Sequence, residues 1–359
     1  MYVLSSWVRG GRGWTEHHPF IPSSMRRGIP YIAMASIPVP SGRTAPNRRA
    51  PALIQGLRSG DTFAHFFTLL CAASILLVTI ALVHELYLNS TVAQHKFGFR
   101  FLTGRTWDPV SGDFGALPFV YGTLVTSALA LLVAVPLGVG AAIFLSELAP
   151  PRLSNMLTFV IELLAAVPSV IYGLLGMFIL VPFLRQYGEP FLKRTLGFLP
   201  LFQGPMYGVG MLAGGLVLAI MVIPFIISIS REVLLAVPVD QREAALALGA
   251  TKWESTWQVV VPFARIGIMA SIFLALARAL GETMAVTMVI GNDPRISSSL
   301  FAPGYSIAAV IANEFTEATG DLYLQALIEL GLVLFALTIV INGLARIVII
   351  STTQKGSGH

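Results

Sequence analysis

Two charged residues, Arg278 and Glu282, lie four positions apart in a stretch of the chain that is otherwise mostly apolar. A guanidinium group is planar, permanently charged and able to bind an oxyanion through two parallel hydrogen bonds. Because residues four apart share one face of a helix, the carboxylate would hold the guanidinium in place. The pair therefore predicts a transient site for a tetrahedral anion. The competing interpretation is a structural ion pair that links two helices.

A polar segment, residues 240–262, separates two long apolar runs and predicts a docking element for another protein. Two pairs of its residues have the three-residue spacing of a helix-capping box, and the glycine between them suits the left-handed backbone that ends helices. The segment predicts a helix over residues 241–248, a tight turn and a second helix over residues 252–260. Its spaced residues are Asp240, Glu243, Ala244, Ala245, Gly249, Thr251, Glu254 and Pro262.

Two other interpretations of this segment are a plain connector and a DNA-reading helix-turn-helix. Tethering to apolar runs at both ends and few basic residues argue against DNA, so no nucleic-acid partner is expected. A plain connector remains the stronger alternative.

The elements that must position these residues are membrane-spanning helices. Of the 359 residues, 55% are hydrophobic and only 11% are charged, which leaves too little polar surface for a soluble globule. A spanning helix needs about 20 mainly apolar residues and satisfies its own backbone amides. The chain therefore predicts an all-α integral membrane protein with six transmembrane helices. The six windows are residues 62–86, 117–145, 155–184, 207–229, 266–290 and 323–349.

The sequence contains no motif for catalysis, metal binding or nucleotide binding. Its single cysteine, Cys71, has neither a disulfide partner nor a second thiolate with which to hold a metal. A Gly-x-x-x-x-Gly-Lys-Ser/Thr loop, which would cradle nucleotide phosphates, is absent. Any nucleotide chemistry is therefore expected to belong to a partner.

Both ends of the chain are predicted to lie in the cytoplasm. Residues 1–61 are basic and rich in Gly, Pro and Ser, and predict a disordered tail. Residues 62–350 form the six-helix domain, and residues 351–359 predict a second, short tail. The segment 240–262 is then cytoplasmic too, and the basic excess on that side follows the positive-inside tendency. Since that excess comes from the tail, the docking segment determines the orientation.

Two further carboxylates, Glu162 and Glu329, fall inside apolar windows. An ionised side chain facing lipid at the helix centre costs about 3 kcal/mol, so such residues generally face protein or water. Both are candidates for the lining of a transport pathway. Each has the alternative of pairing with a neighbouring helix.

Two runs of residues resemble regions of the PstC-type permeases of bacterial phosphate ABC importers. The first is Arg278-Ala-Leu-Gly-Glu282-Thr-Met-Ala-Val-Thr-Met-Val-Ile-Gly-Asn292. The second is Glu162-Leu-Leu-Ala-Ala-Val-Pro168-Ser169-Val-Ile-Tyr172-Gly173. The spacing from Glu243 through Gly249 to Pro262 also resembles the segment by which such permeases engage their ATPase. The resemblance covers residues 62–350 and leaves out the basic tail.

The resemblance implies an inner-membrane permease with the type I fold of ABC importers that moves inorganic phosphate by alternating access. It also implies a PstA-type permease as heterodimer partner, a PstB-type ATPase dimer and a periplasmic phosphate-binding protein, assembled within membrane lipid. Arg278 and Glu282 are then the expected intramembrane transport residues. The resemblance further implies a transport subunit that is not an enzyme and binds no cofactor, with ATP and Mg²⁺ used by the partner ATPase. ATP binding by that partner would move the segment around Glu243.

Three other functions stay open at this point. A permease for another oxyanion, such as sulfate or molybdate, would use the same machinery. A secondary transporter driven by protons would use Glu162, Glu282 and Glu329. A membrane signalling scaffold without transport is the third, and the charges inside the membrane argue against it.

Overall fold

The computed structural model describes the backbone of residues 61–354 and the side chains of residues 63–347. The predicted N-terminal tail, up to residue 60, lies outside this range. The helices, numbered in chain order, are α1 Asp61–Leu88, α2 Thr91–Phe97, α3 Arg100–Thr103, α4 Leu117–Leu148, α5 Pro151–Ala165, α6 Ser169–Leu196, α7 Met211–Leu235, α8 Val239–Ala247, α9 Lys252–Leu280, α10 Met284–Thr287, α11 Ile307–Glu314 and α12 Asp321–Gln354. A 3₁₀ turn, Pro200–Phe202, and an antiparallel hairpin, β1 Trp107–Asp108 with β2 Asp113–Phe114, complete the elements. Helix α12 thus continues into the segment predicted as a C-terminal tail.

Six of these helices are long and apolar enough to cross a membrane, which confirms the predicted fold class. They are α1, α4, α6, α7, α9 and α12. The apolar window of α1 has no buried residue, whereas 67% of the window of α7 is buried. Helix α7 packs along α4 and against α9, so it is the central helix of the described chain.

The third predicted span, residues 155–184, is wrong at both ends. Residues Pro151–Ala165 form the separate helix α5, and the spanning helix α6 runs from Ser169 to Leu196. Pro168 lies between them with an extended backbone, φ −57° and ψ 138°. A proline also disfavours helical geometry in the residue before it, so the two helices cannot be continuous.

Four π-helical turns show how this chain accommodates proline at its helix ends and within its spans. They are Phe144–Leu148, Gly176–Leu180, Leu184–Gly188 and Thr256–Val260, and each ends two residues before a proline. In all four, the residue just before the proline donates its N–H to the carbonyl five positions earlier. A proline clashes with the carbonyl four positions earlier in a regular helix, and the wider turn relieves that clash.

The π turn before Pro262 corrects the boundary predicted for the docking segment. Its second helix does not end at residue 260 but runs on through Pro262 as the fifth span, α9. The helix that contains the fifth span therefore begins at Lys252 and not at Ile266. The second half of the docking segment and the fifth span are thus one continuous helix.

We call the end of the spans that carries residues 239–257 the coupling end, and the opposite end the outer end. At the outer end, α11 is buried in a core of its own with α2, the hairpin and the first turns of α4 and α12. The Trp107 ring packs edge-on against Phe114 and Phe119, with centroids 4.8 and 4.9 Å away. Glu314 accepts hydrogen bonds from the Trp107 indole at 2.8 Å and the Tyr323 hydroxyl at 2.6 Å.

We predict that Gly122→Ala destabilises this outer core. Gly122 lies against the backbone of Tyr305, and an added Cβ would overlap the Tyr305 carbonyl oxygen. Overpacking of this kind costs about 1–3 kcal/mol. For a chain of 359 residues, the midpoint of thermal unfolding in detergent should therefore fall by about 1–4 °C.

Gly140→Ala is the matched control, because Gly140 lies in the same helix and an added Cβ there meets nothing within 4 Å. Alanine is the better helix former by about 1 kcal/mol, so this variant should be neutral or more stable. Equal shifts for the two variants would contradict the close packing at Gly122.

Candidate functional site

Helix α9 ends at Leu280, which places Arg278 in its last turn and Glu282 beyond the helix. The predicted helical pair of Arg278 and Glu282 is therefore wrong. Gly281, with φ −94° and ψ 0°, ends the helix before Glu282 can come onto the same face. A cation in the last turn is nevertheless favoured, because the helix dipole presents its negative end there.

Arg278 is exposed in the single chain, and its guanidinium has no carboxylate partner within the part of the chain whose side chains the structure describes. Among residues 63–347 the ion pairs are Arg231 with Glu232, Arg242 with Glu147, and Arg295 with Asp293. The described contact of Arg278 is with the ring of Phe225, whose centroid lies 5.6 Å from the guanidinium carbon. Such a cation–π contact holds the arginine without neutralising its charge.

The contact with Phe225 also sets the depth of Arg278 in the membrane. Phe225 lies ten residues from the coupling end of α7 and fourteen from its outer end. At about 1.5 Å per residue these distances are ~15 and ~21 Å, which is near the middle of a core about 30 Å thick. Helix α9 thus ends near mid-membrane, and among the described side chains no carboxylate compensates the charge in its last turn.

Glu282 makes a local contact with the backbone. Its Oε1 accepts a hydrogen bond of 3.2 Å from the N–H of Ala285, in the first turn of the short helix α10. The carboxylate therefore stabilises the start of α10 in this conformation.

The second half of the fifth crossing is a broken segment, residues 281–291. Its side chains Val286, Val289 and Ile290 are almost completely buried in the core shared with α4 and α7. The carbonyls of Val289 and Ile290 accept bonds of 3.0 Å from the N–H groups of Gly210 and Gly304. Irregular backbone at membrane depth is tolerated only where protein or water satisfies it. Discontinuous spans of this kind form the substrate sites of many transporters.

The structure brings together the two runs on which the family resemblance rests. An added Cβ at Gly173 of α6 would stand 2.6 Å from Met288 Sδ and 3.0 Å from Ala285 Cα. The surface of α6 at Gly173 therefore packs directly against the broken segment, residues 281–291, that follows Arg278. Tyr172 anchors this part of α6, because its hydroxyl donates to the Leu164 carbonyl of α5 at 2.7 Å.

The two other carboxylates predicted from the sequence lie elsewhere. Glu162 is exposed on α5, which is not a spanning helix, so the reason for placing it in the membrane is gone. Glu329 lies in the span α12 and is 8% exposed. Its Oε2 has no hydrogen-bond partner among the side chains and backbone that the structure describes.

The docking segment folds as a helix, a tight turn and a second helix. Gly249 has φ +91°, a backbone that only glycine adopts easily, and it follows Leu248, the C-cap of α8. The N–H of Gly249 donates to the Leu246 carbonyl at 3.0 Å, and the N–H of Ala250 donates to the Ala245 carbonyl at 3.1 Å. These two bonds form the Schellman pattern of helix ends. Thr251 and Glu254 form the predicted capping box at the start of α9.

The predicted capping role of Asp240 is wrong. Helix α8 begins at Val239 after Pro238, so Asp240 already lies inside the first turn and cannot cap it. Its acidic side chain still suits the positive end of the helix dipole. The first helix therefore begins two residues before the predicted residue 241.

One face of the docking segment is open in the single chain. Glu243 and Ala244 are exposed, and Leu248 and Trp253 are 90% and 56% exposed. Large apolar side chains exposed beside small ones on a polar segment are typical of a protein interface. This face is the candidate binding surface for a partner.

Arg242 and Glu147 belong to the site but lie 95 residues apart, and sequence reasoning did not pair them. The guanidinium of Arg242 in α8 contacts both oxygens of Glu147 at the coupling end of α4. The only available signal was a charge at each of two helix ends. Residues 63–347 hold no group of three His, Cys, Asp or Glu side chains that could bind a metal ion.

Comparison with known proteins identifies the family. Residues 134–351 match the model of the family described as "Binding-protein-dependent transport system inner membrane component". This match includes the docking segment, α9 and the break after Arg278.

Three curated relatives are phosphate transport system permease proteins by name. That of Mesorhizobium japonicum is 50% identical over 80% of this chain and 89% of its own length. That of Xylella fastidiosa is 48% identical over 81% of this chain and 92% of its own length. The third, described as probable, is from Methanocaldococcus jannaschii. It is 36% identical over 80% of this chain and 92% of its own length.

A solved structure supports the fold alone. A bacterial ABC transporter involved in alginate import aligns with a TM-score of 0.51 at 15% identity, over 78% of this chain and 94% of that chain. The helix arrangement, the family match and the full-length relatives agree. This chain therefore belongs to the family of binding-protein-dependent transport system inner membrane components.

Proposed function

We propose that this chain is the permease subunit of an ATP-driven importer that moves inorganic phosphate across the bacterial inner membrane by alternating access. The observation that carries the proposal is Arg278, a guanidinium at mid-membrane in the last turn of a broken span, which forms no ion pair with any carboxylate of residues 63–347. A fork of N–H donors suits a tetrahedral oxyanion. The names of the curated relatives supply the identity of that anion.

In the proposed cycle, phosphate contacts Arg278 only in passing. Glu282 lies two residues after the end of the helix that carries Arg278, and we propose that its negative charge keeps binding of the anion weak. Glu329 is retained as a pathway residue, because a buried carboxylate oxygen without a partner needs one in another state or subunit. Glu162 is left out, since α5 does not span the membrane.

The proposed assembly contains a PstA-type permease, a PstB-type ATPase dimer and a periplasmic phosphate-binding protein. The docking segment, as the structure bounds it (residues 239–257), is called the coupling segment below. Its open face would bind the ATPase. ATP and Mg²⁺ would be used there, and this chain itself would hold no cofactor. Both termini would lie in the cytoplasm with the coupling segment.

The test is uptake by the complete complex in proteoliposomes. With ATP on the side of the ATPase, labelled phosphate should accumulate, and unlabelled phosphate should compete while sulfate and molybdate should not. Sulfate or molybdate as the better competitor would assign another oxyanion. Uptake that persists without the ATPase but collapses with the proton gradient would assign a secondary transporter.

Orientation gives a separate prediction. In vesicles that contain the permease without the ATPase, Leu248→Cys in a Cys71→Ser background should react with a membrane-impermeant thiol reagent only when the vesicles are inside-out, because Leu248 is 90% exposed at the coupling end. A cysteine in place of exposed Val110, in the outer loop, is the matched control and should react only in right-side-out vesicles. The reverse pattern would place the coupling segment outside and end the proposal.

A further inference from the structure

We infer that the ion pair between Arg242 and Glu147 is the mechanical joint through which the coupling segment moves the transmembrane helices. The inference rests on the proposed function. In α8, Arg242 Nη2 lies 3.0 Å from Glu147 Oε1, and Nε lies 3.3 Å from Oε2. Such two-point contact fixes the direction of the helix as well as its distance.

The same guanidinium also contacts a third element. Nη1 donates to the Val237 carbonyl at 2.6 Å and Nη2 donates to the Leu234 carbonyl at 2.7 Å. Leu234 lies in the last turn of α7, where its carbonyl also accepts a 3.2 Å bond from the Val237 N–H, and Val237 follows the end of that helix. One side chain of α8 therefore fastens α8 to the ends of both α4 and α7.

The joint is shielded from solvent, unlike the other ion pairs of residues 63–347. Its side chains are 20% and 11% exposed, whereas Glu232 of the Arg231 pair is 71% exposed and Arg295 is 84% exposed. Exposed pairs contribute little and are screened by salt, whereas shielded pairs are screened much less. The Arg242–Glu147 pair is thus the one able to transmit a force.

The surroundings of the joint are rigid on one side and open on the other. Beneath it, Leu145, Leu234 and Val260 are buried in a core shared by α4, α7 and α9. Ser154 of α5 adds a bond of 2.7 Å to the Leu145 carbonyl. The opposite face of α8, with Glu243 and Ala244, is exposed. A partner that pulls on the open face therefore moves the helix ends through Arg242.

The joint connects the coupling segment to the anion site. Helix α7 carries Phe225, on whose ring the Arg278 guanidinium rests. A shift of the coupling end of α7 therefore displaces the support of Arg278. Without the joint, α8 turns between Pro238 and Gly249 without moving α7, so ATP is hydrolysed while the anion site keeps its orientation.

The test compares Glu147→Gln and Arg242→Gln with the matched control Glu232→Gln, which removes the exposed carboxylate of the neighbouring pair. Each full complex is reconstituted in proteoliposomes, and phosphate uptake per ATP hydrolysed is measured. We expect both joint variants to lower this ratio at least about fivefold, within the usual range of coupling between sites. Retention of the ATPase on purification should stay within about twofold of the unsubstituted complex, since the joint faces away from its surface. Glu232→Gln should leave both quantities unchanged.

The double variant distinguishes a joint from two independent contacts. Because either single change breaks the pair, Arg242→Gln with Glu147→Gln should resemble the single variants and should not multiply their effects. If Glu147→Gln does not assemble, Glu147→Asp is measured, and its shorter reach should lower the ratio about twofold. A ratio equal to that of Glu232→Gln, or loss of the ATPase in proportion to the loss of uptake, would overturn the inference. If the unsubstituted complex moves a different anion, the proposed substrate fails, and the ratio measured with that anion still tests the joint.

Discussion

Arg278→Gln should lower phosphate uptake by the assembled complex at least about 100-fold while the ATPase stays bound. Glutamine retains a polar side chain but loses the charge and the fork of donors. Hydrogen bonds to charged groups contribute about 1.5–3 kcal/mol each, so the loss of two raises the barrier by ~3–6 kcal/mol. The measurement is ATP-dependent phosphate uptake in proteoliposomes, normalised to the ATPase retained.

Two further variants make this prediction specific. Arg278→Lys keeps the charge but not the planar fork, so its uptake should lie between those of arginine and glutamine. Arg295→Gln is the control, because Arg295 is an 84% exposed outer arginine paired with Asp293. Undiminished uptake by Arg278→Gln would mean that Arg278 is a structural residue and that the anion takes another route.

Gly249→Val should weaken binding of the ATPase about tenfold. At φ +91° a side chain is strained even though an added Cβ meets nothing within 4 Å. A residue with a Cβ in left-handed geometry costs about 1–2 kcal/mol, and 1.4 kcal/mol is a factor of ten in affinity. The strain opens the turn between α8 and α9, so the two halves of the coupling segment lose their common surface. Titration of the purified permease with the ATPase measures the change.

Gly249→Asn is the matched control for the turn. Asparagine adopts left-handed geometry more readily than other non-glycine residues, so its effect should be clearly smaller than that of valine. If valine and asparagine weaken binding equally, backbone strain is not the cause. If neither has an effect, the partner does not depend on the geometry of this turn.

Hydropathy predicted the number of spans because a spanning helix is recognised from the length and apolar composition of a run of residues. It did not predict where helices end inside an apolar run, because apolar residues suit both halves of a broken span. The end of α9 at Leu280 was signalled by Gly281, and the start of α6 by Pro168. These local breakers carried information that an averaged window loses.

The coupling segment was more predictable than the anion site. Its turn depends on Gly249 and on the Thr251–Glu254 box, which are short-range patterns. The contact of Arg278 with Phe225 and the pair of Arg242 with Glu147 depend on how distant helices pack. No periodicity along the chain relates those residues, so only the folded structure brings them together.

The most direct test of the account replaces Arg278 by cysteine in a Cys71→Ser background and then restores the charge chemically. The complete complex should lose phosphate uptake, regain part of it with a cationic aminoethyl thiosulfonate, and stay inactive with the anionic sulfonatoethyl reagent. Recovery with both reagents or with neither would contradict an anion site at Arg278.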